Sequence, residues 1–334
     1  MNLTWLQKAT FTTADIDPEQ TATAGGILTP QQAAAFLQVA IDASTIMKEA
    51  RIETSTAPKF EVPRISLASR VLRPGTEGSR LVDADRVEPT TGLVTLSTVL
   101  FRGEVPVSDE VFEDNIEGAG LADTLAQMIA QAVGRDVEEI AIKSDTDRVA
   151  GDNEAVFDQF NGIIAQCQDN LASAQKIDAS AHTSYNTTLG AAVAAMPSRY
   201  LNNWDRLRIY MPYAHVHQYQ KVLAQRGTAL GDTAVTDQLT TRLAYRGIRC
   251  VGVPMLSGQG TINSTPVYYD RFMVLTVPDN IIFGFHRKIR VERFRDPREG
   301  VTSFAVSVRF DVKFADPDCA VLVYGANASN YTNA

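Results

Sequence analysis

The run Leu121–Lys143 constrains this chain more than any other segment. Leu121, Leu125, Met128, Ile129, Ala132, Val133, Val137, Ile140 and Ala141 recur at helical spacing and form one apolar stripe. At 1.5 Å per residue such a helix is about 35 Å long, roughly the width of a small domain. Gly134 is its internal breaker, at a cost of about 1 kcal/mol against alanine, and is the expected place for a bend. Arg135, Asp136, Glu138 and Glu139 lie off the stripe and read as a solvated face.

Residues 1–24 read as an extended arm. Thr29 and Pro30 then suit the start of a helix. Its apolar face is Phe36, Val39, Ala40, Ala43, Ile46, Met47 and Ala50, which predicts about five turns. Lys59–Ile65 and Leu93–Phe101 read as strands. Between them stand Arg70, Arg73, Arg80 and Arg86 against Glu77, Asp83, Asp85 and Glu88, a neutral but heavily charged stretch. The pair has too few apolar residues at its tip to bury a core alone, so it reads as a long hairpin projecting from the body. Those eight charged residues are the candidate contacts with an adjacent subunit, where mixed charges fix register. The plainer alternative is a surface loop.

Beyond Phe160-Asn161-Gly162-Ile163, strands and helices alternate. A helix is expected over Leu189–Met196, a strand over Leu207–Met211, a helix from Pro212 to Leu223 and a strand over Ile248–Val253. That order suggests a compact α/β unit. Gly258-Gln259-Gly260 reads as a turn. The last sixty residues read as strands at Phe272–Val277, Ile281–Phe285, Ile289–Phe294, Phe304–Val312 and Ala320–Tyr324. Phe304, Val306, Val308, Phe310 and Val312 alternate with Ala305, Ser307, Arg309 and Asp311, the pattern of a half-buried antiparallel strand. The fold class is α+β.

The chemistry is sparse. None of the phosphate-loop, dinucleotide, zinc-protease, nucleophile-elbow or EF-hand patterns is present. Cys167, Cys250 and Cys319 are far apart and form no CxxC, so they read as buried thiols in a reducing compartment. His215 and His217 sit on an expected helix, where residues two apart point about 200° apart and cannot share a metal. His286 reads as part of a polar strand edge, and His182 as part of a Ser/Thr-rich loop. The pairs Asp83/Asp85, Asp145/Asp147 and Asp316/Asp318 read as turn and cap formers. No catalytic, cofactor-binding or metal-binding residue is assigned, and no cofactor is expected. Among 334 residues the net charge is −8, which disfavours a dedicated nucleic-acid binder. No signal peptide or membrane-length apolar run is seen, and a cytoplasmic site of synthesis is expected.

Taken in order, these segments resemble the tailed-bacteriophage major capsid proteins of the Hong Kong 97-like fold, over roughly residues 25–324. Gly25-Gly26-Ile27-Leu28-Thr29-Pro30 resembles the family's GG-x-L-x-P segment. Residues 51–107 resemble its extended loop, and Val105–Asp114 the segment leading into its spine helix. Leu121–Asp145 resembles that helix, and Phe160-Asn161-Gly162-Ile163 the turn after it. Gly247–Met255 resembles an axial strand, while Phe283–Glu292 and Phe314–Ala320 resemble the closing β segments.

The resemblance implies an N-terminal arm and helix (1–50), an extended loop (51–107), a peripheral domain with the spine helix (108–164) and an axial domain (165–271). A peripheral β return (272–317) and an axial strand with the C-terminal tail (318–334) complete it. It implies a non-enzymatic shell protein that assembles into hexamers and pentamers around double-stranded DNA. The expected setting is a virion put together in a bacterial cytoplasm, with no membrane partner. Implied partners are a portal, a separate scaffolding protein or none, decoration proteins and non-specifically held DNA. Only 24 residues precede Gly25, which underlies the expectation of a separate scaffold. The lysine of the loop, Lys59, lies near its base, so no covalent cross-links between subunits are expected. The alternatives are a bacterial nanocompartment shell of the encapsulin type and an α/β enzyme with an unrecognised site.

Overall fold

The computed structural model describes residues 39–41, 43–66, 90–108, 110, 121–147, 156–202, 204–225, 243–262, 265–286 and 290–331. In chain order the first strands are β1 (Arg51–Ser55), β2 (Lys59–Ser66), β3 (Thr90–Ser97) and β4 (Val99–Ser108). Helices α1 (Leu121–Lys143) and α2 (Ile163–Asn170) follow, then β5 (Lys176–Asp178), α3 (Tyr185–Ala195), α4 (Ser198–Leu201), β6 (Arg208–Pro212) and α5 (Tyr213–Ala224). The remainder is β-rich: β7 (Ala244–Tyr245), β8 (Ile248–Val253), β9 (Gln259–Ile262), β10 (Thr265–Tyr268), β11 (Met273–Thr276), β12 (Ile281–His286), β13 (Arg290–Asp296), β14 (Val301–Phe314) and β15 (Ala320–Tyr324).

Strand β14 organises a five-stranded sheet. The registers place β12 and β13 end to end along one side of it and β4 along the other. β1 joins β12 in parallel. The alternation of β14 is realised: Phe304, Val306, Val308, Phe310, Val312 and Phe314 are all buried in one cluster with Ile129, Val137 and Ile140 of α1. Phe101, Phe160 and Phe310 pack edge-to-face and tilted at its centre, with centroids 5.0–6.3 Å apart.

The second sheet has the order β5-β15-β11-β6-β8-β7 and is mixed, with β5–β15 and β6–β8 parallel. One face joins the first core through Tyr210, Val251, Val253, Val274 and Leu322. The other packs Ile209, Met211, Cys250, Met273, Leu275, Val321 and Val323 against α3 and α5. β7 and β8 are joined by Arg246 (φ 49°) and Gly247 (φ 89°), the paired left-handed conformations of a two-residue hairpin turn. Trp204 Nε1 donates to the Arg246 carbonyl at 2.9 Å and holds that turn.

Several expectations need correction. The strand expected over Leu93–Phe101 is two strands. Thr98 breaks the ladder and bonds to the Pro58 carbonyl through both its N–H (3.0 Å) and its hydroxyl (2.8 Å), so β3 belongs to the hairpin and β4 to the main sheet. The helix expected to run to Ala50 ends near Ala43. Ser44 closes on the Ile41 carbonyl, and Glu138 takes the next two backbone N–H groups. Glu138 is therefore not solvated but 2% exposed, whereas Met128 of the expected stripe is 59% exposed. α1 runs unbroken through Gly134, which instead admits a neighbour: an added Cβ would stand 2.1 Å from the Ala40 carbonyl oxygen. Gly258 alone forms the expected turn (φ 85°), because Gln259 and Gly260 enter β9. His286 lies on an interior strand and is buried.

Candidate functional site

The hairpin β2–β3 pairs from Lys59↔Ser97 to Ser66↔Thr90 and lies across the outer face of β12 and β14. That face exists because strand periodicity turns Phe283 and Phe285 inward and leaves Ile282, Gly284 and His286 outward. Val62 and Leu96 close over Ile282, with Phe60 and Ala315 at the edge, to make a small separate core. Gly284 makes this possible, since a Cβ there would meet Phe60 Cζ at 2.8 Å and Leu96 Cδ2 at 3.1 Å.

Polar groups fasten the rim of this seat. The buried Asp311 carboxylate accepts the Ser97 N–H at 2.8 Å and its neighbour Val312 N–H at 2.8 Å. Burial raises its pKa; the two N–H groups and Lys313 oppose that shift less strongly. His286 Nε2 lies 2.9 Å from the Thr56 carbonyl, which can only accept, so Nε2 carries the proton. Arg64 donates to the Ala315 carbonyl at 3.0 Å and pairs with Asp316 at 3.2 Å. Asp316 is a hub: it also accepts from the Tyr200 hydroxyl, and its backbone N–H donates to Asn280 Oδ1 at 2.7 Å. Arg199 reaches Asp316 at 3.9 Å and Asp318 at 2.6 Å.

The eight candidate contact residues, Arg70, Arg73, Glu77, Arg80, Asp83, Asp85, Arg86 and Glu88, lie outside the described residues. Of the seat residues, His286 and Asp316 are named in the sequence reading, as a strand edge and a turn former, and none is read there as part of a seat. The Phe283-Gly284-Phe285 triplet carried a usable signal, because an isolated strand glycine marks a close approach of other chain.

The remaining chemistry is structural. His215 is fully buried; its Nδ1 meets the Tyr185 hydroxyl at 3.0 Å and its Nε2 the Ala326 carbonyl at 3.3 Å. Burial lowers its pKa, so it is held neutral. His217 is exposed on the same helix. Cys167, Cys250 and Cys319 are buried free thiols, and burial pushes Cys250 up to about 12 and Cys319 up to about 11. Asp145 and Asp316 each accept a backbone N–H two residues on, as turn formers do. A groove of about 390 Å³ between α1 and β4/β14 is lined mainly by apolar side chains, Phe101, Val133, Val137, Ile140, Val306 and Val308 among them, together with the charged Arg102, Glu104, Asp136 and Glu139; its described lining holds no Ser, Thr, Cys, His or Lys. Among those residues no cluster suits a metal ion, and no helix is long and apolar enough to cross a membrane.

No family model matches the chain. It is 30% identical over 304 residues to YqbE of Bacillus subtilis (strain 168), a protein named for a prophage capsid; the match covers 91% of this chain and 94% of that one. Its fold matches the satellite phage P4 procapsid at TM-score 0.64 and 10% identity, over 92% of this chain and 95% of that one. It matches the capsid of an empty GTA particle at TM-score 0.58 and 14% identity, over 85% and 90%. A sequence match running nearly end to end, on a shell-protein fold with a seated hairpin and a long helix, shows that the chain belongs to the tailed-bacteriophage capsid proteins of the Hong Kong 97-like fold.

Proposed function

We propose that this chain is the major head protein of a tailed phage, gathering into hexamers and pentamers that close an icosahedral shell around double-stranded DNA. The observation that carries this reading is the match, over 91% of the chain, to a protein named for a prophage capsid. Heterologous contacts that close by rotation generate such rings. The chain works as structure and not as an enzyme. Its domains divide as arm, extended loop, peripheral and axial parts, with two of the boundaries given above moved: the loop narrows to 56–98, because β1 and β4 pair into the β14 sheet, and the axial part takes in β11, which pairs with β6 and β15. A portal, a separate scaffold and decoration proteins complete the particle, which assembles in the host cytoplasm.

The hairpin tip supplies lattice contacts through Arg70, Arg73, Glu77, Arg80, Asp83, Asp85, Arg86 and Glu88. One exposed pair is worth only about 0–1 kcal/mol, so the effect rests on repetition around each ring. Packaged DNA is held loosely, because a chain of net charge −8 offers little to neutralise phosphates.

Electron microscopy with mass analysis of the purified recombinant chain tests the reading. Closed shells or five- and six-fold rings are expected, with scaffold added if the chain alone stays monomeric. Failure to form either with scaffold and the other phage proteins present would end it. Shells loaded with a protein cargo instead of DNA would favour the nanocompartment alternative. Reversing Arg73, Arg80 and Arg86 together should abolish shells while the subunit still folds; normal particles would refute the tip assignment.

A further inference from the structure

We infer that the hairpin is aimed by its own subunit, before any neighbour is present, and that Arg64, Gly284, His286 and Asp311 are the positioning residues that aim it. The inference rests on the shell reading for its purpose but on the seat alone for its geometry.

The hairpin joins the body at two crossings, residues 56–58 and residue 98. Two such joints would leave a two-stranded ribbon free to swing, and an isolated ribbon is marginally stable in water. Each crossing is pinned from the body. His286 donates to the Thr56 carbonyl on the way out, and Asp311 accepts the Ser97 N–H on the way back. A third anchor lies farther along β2, where Arg64 reaches the Ala315 carbonyl and the Asp316 carboxylate. Anchors at both crossings and up one strand fix direction as well as attachment.

Between the anchors the contact is dry. Leu96 and Ile282 are fully buried and Val62 nearly so. Contact at the Gly284 backbone sets the height of the ribbon over the sheet, since any side chain there would lift Phe60 and Leu96. A pre-aimed ribbon loses less conformational freedom when a neighbour binds it, so the lattice contact gains by preorganisation.

The test is a distance measurement between spin labels on the unassembled full-length chain. Labels go on Leu93→Cys, an exposed hairpin position, and Lys221→Cys, exposed on α5. The three native cysteines are buried and stay unlabelled. One narrow distance peak is expected in the isolated subunit, and the same peak in shells where labelled chain is diluted with unlabelled chain. Gly284→Val should broaden or shift that peak, and adding Phe60→Ala, which removes the ring atom nearest the new Cβ, should narrow it again. Arg64→Ala, which leaves the buried contact alone, should broaden it as well and serves if Gly284→Val does not fold. A broad distribution in the unsubstituted subunit overturns the inference, as does a narrow unshifted peak in Arg64→Ala and Gly284→Val. Shells built from subunits with a broad peak would leave the shell reading standing and remove this one. A narrow peak in a chain that never assembles would do the reverse.

Discussion

Glu138 receives the N–H of Thr45 at 2.8 Å and of Ile46 at 2.9 Å, and so ends the first helix. One turn earlier on α1, Gly134 lets the Ala40 backbone approach closely. The two residues bind one strip of chain, which explains both a glycine inside a long helix and a carboxylate inside a core. Gly134→Ala gains about 1 kcal/mol of helix propensity but drives a methyl into a carbonyl, and overpacking costs about 1–3 kcal/mol. A net loss is expected in urea unfolding of the subunit; a gain would show that Ala40 yields easily. Glu138→Gln keeps the shape but leaves one N–H without its acceptor, a loss of about 1–3 kcal/mol. The pH dependence has a definite sign. Burial raises the Glu138 pKa above its ordinary 4.5, outweighing the two N–H bonds. A raised carboxylate favours the folded state while protonated. The stability it contributes is therefore complete below 4.5 and is lost as pH climbs through the raised value. The advantage of the wild type over Glu138→Gln should shrink as pH rises through that window, and an advantage that grows would contradict the assignment.

At the scale of elements, α1 and β14 were legible because each keeps one period for many residues and buries one face along most of its length. The break at Thr98 was not, because strand-forming residues run on both sides of it and the switch is made by Asp311 and Pro58, far off in sequence. The sequence hides the place of His286 for a related reason. Beside Arg287 and Lys288 it reads as an edge, yet the strand that covers it, β1, lies more than two hundred residues earlier. The C-terminal tail, expected only to follow the axial strand, proves to be packing as far as Tyr331. Tyr331 is fully buried, stacks on Tyr185 at 4.1 Å, meets His215 edge-on at 5.7 Å and lies 3.0 Å, hydroxyl to hydroxyl, from Thr188. Gln218 Nε2 donates to its carbonyl at 2.7 Å. Tyr331→Ala empties a large aromatic site and should lower unfolding free energy by about 3–5 kcal/mol, as buried aromatic truncations do. Tyr331→Phe removes one hydrogen bond and should lose about 1 kcal/mol. Equal stability for Tyr331→Ala and wild type in denaturant titrations would mean that the segment does not hold the α3–α5 core together.

For the whole molecule, the second sheet decides how the parts hold together. Its strands feed two cores at alternate residues: Val274 and Leu322 face one, while Met273, Leu275, Val321 and Val323 face the other. Tyr210 and Ile209 divide in the same way on β6. Neither core can open without stripping one face of a sheet that the other core still needs. The alternating pattern therefore links the cores physically, whatever boundary is drawn between them. The unassembled subunit should accordingly unfold in a single calorimetric transition whose van't Hoff and calorimetric enthalpies agree. Val274→Ala acts on one core and Leu275→Ala on the other. Each should lower the same midpoint, and the leucine truncation should cost about 2–5 kcal/mol. Coupling through one sheet predicts that neither substitution splits the transition. Two resolved transitions, each moved by only one of the substitutions, would mean that the sheet belongs energetically to a single core and that the other merely rests on it.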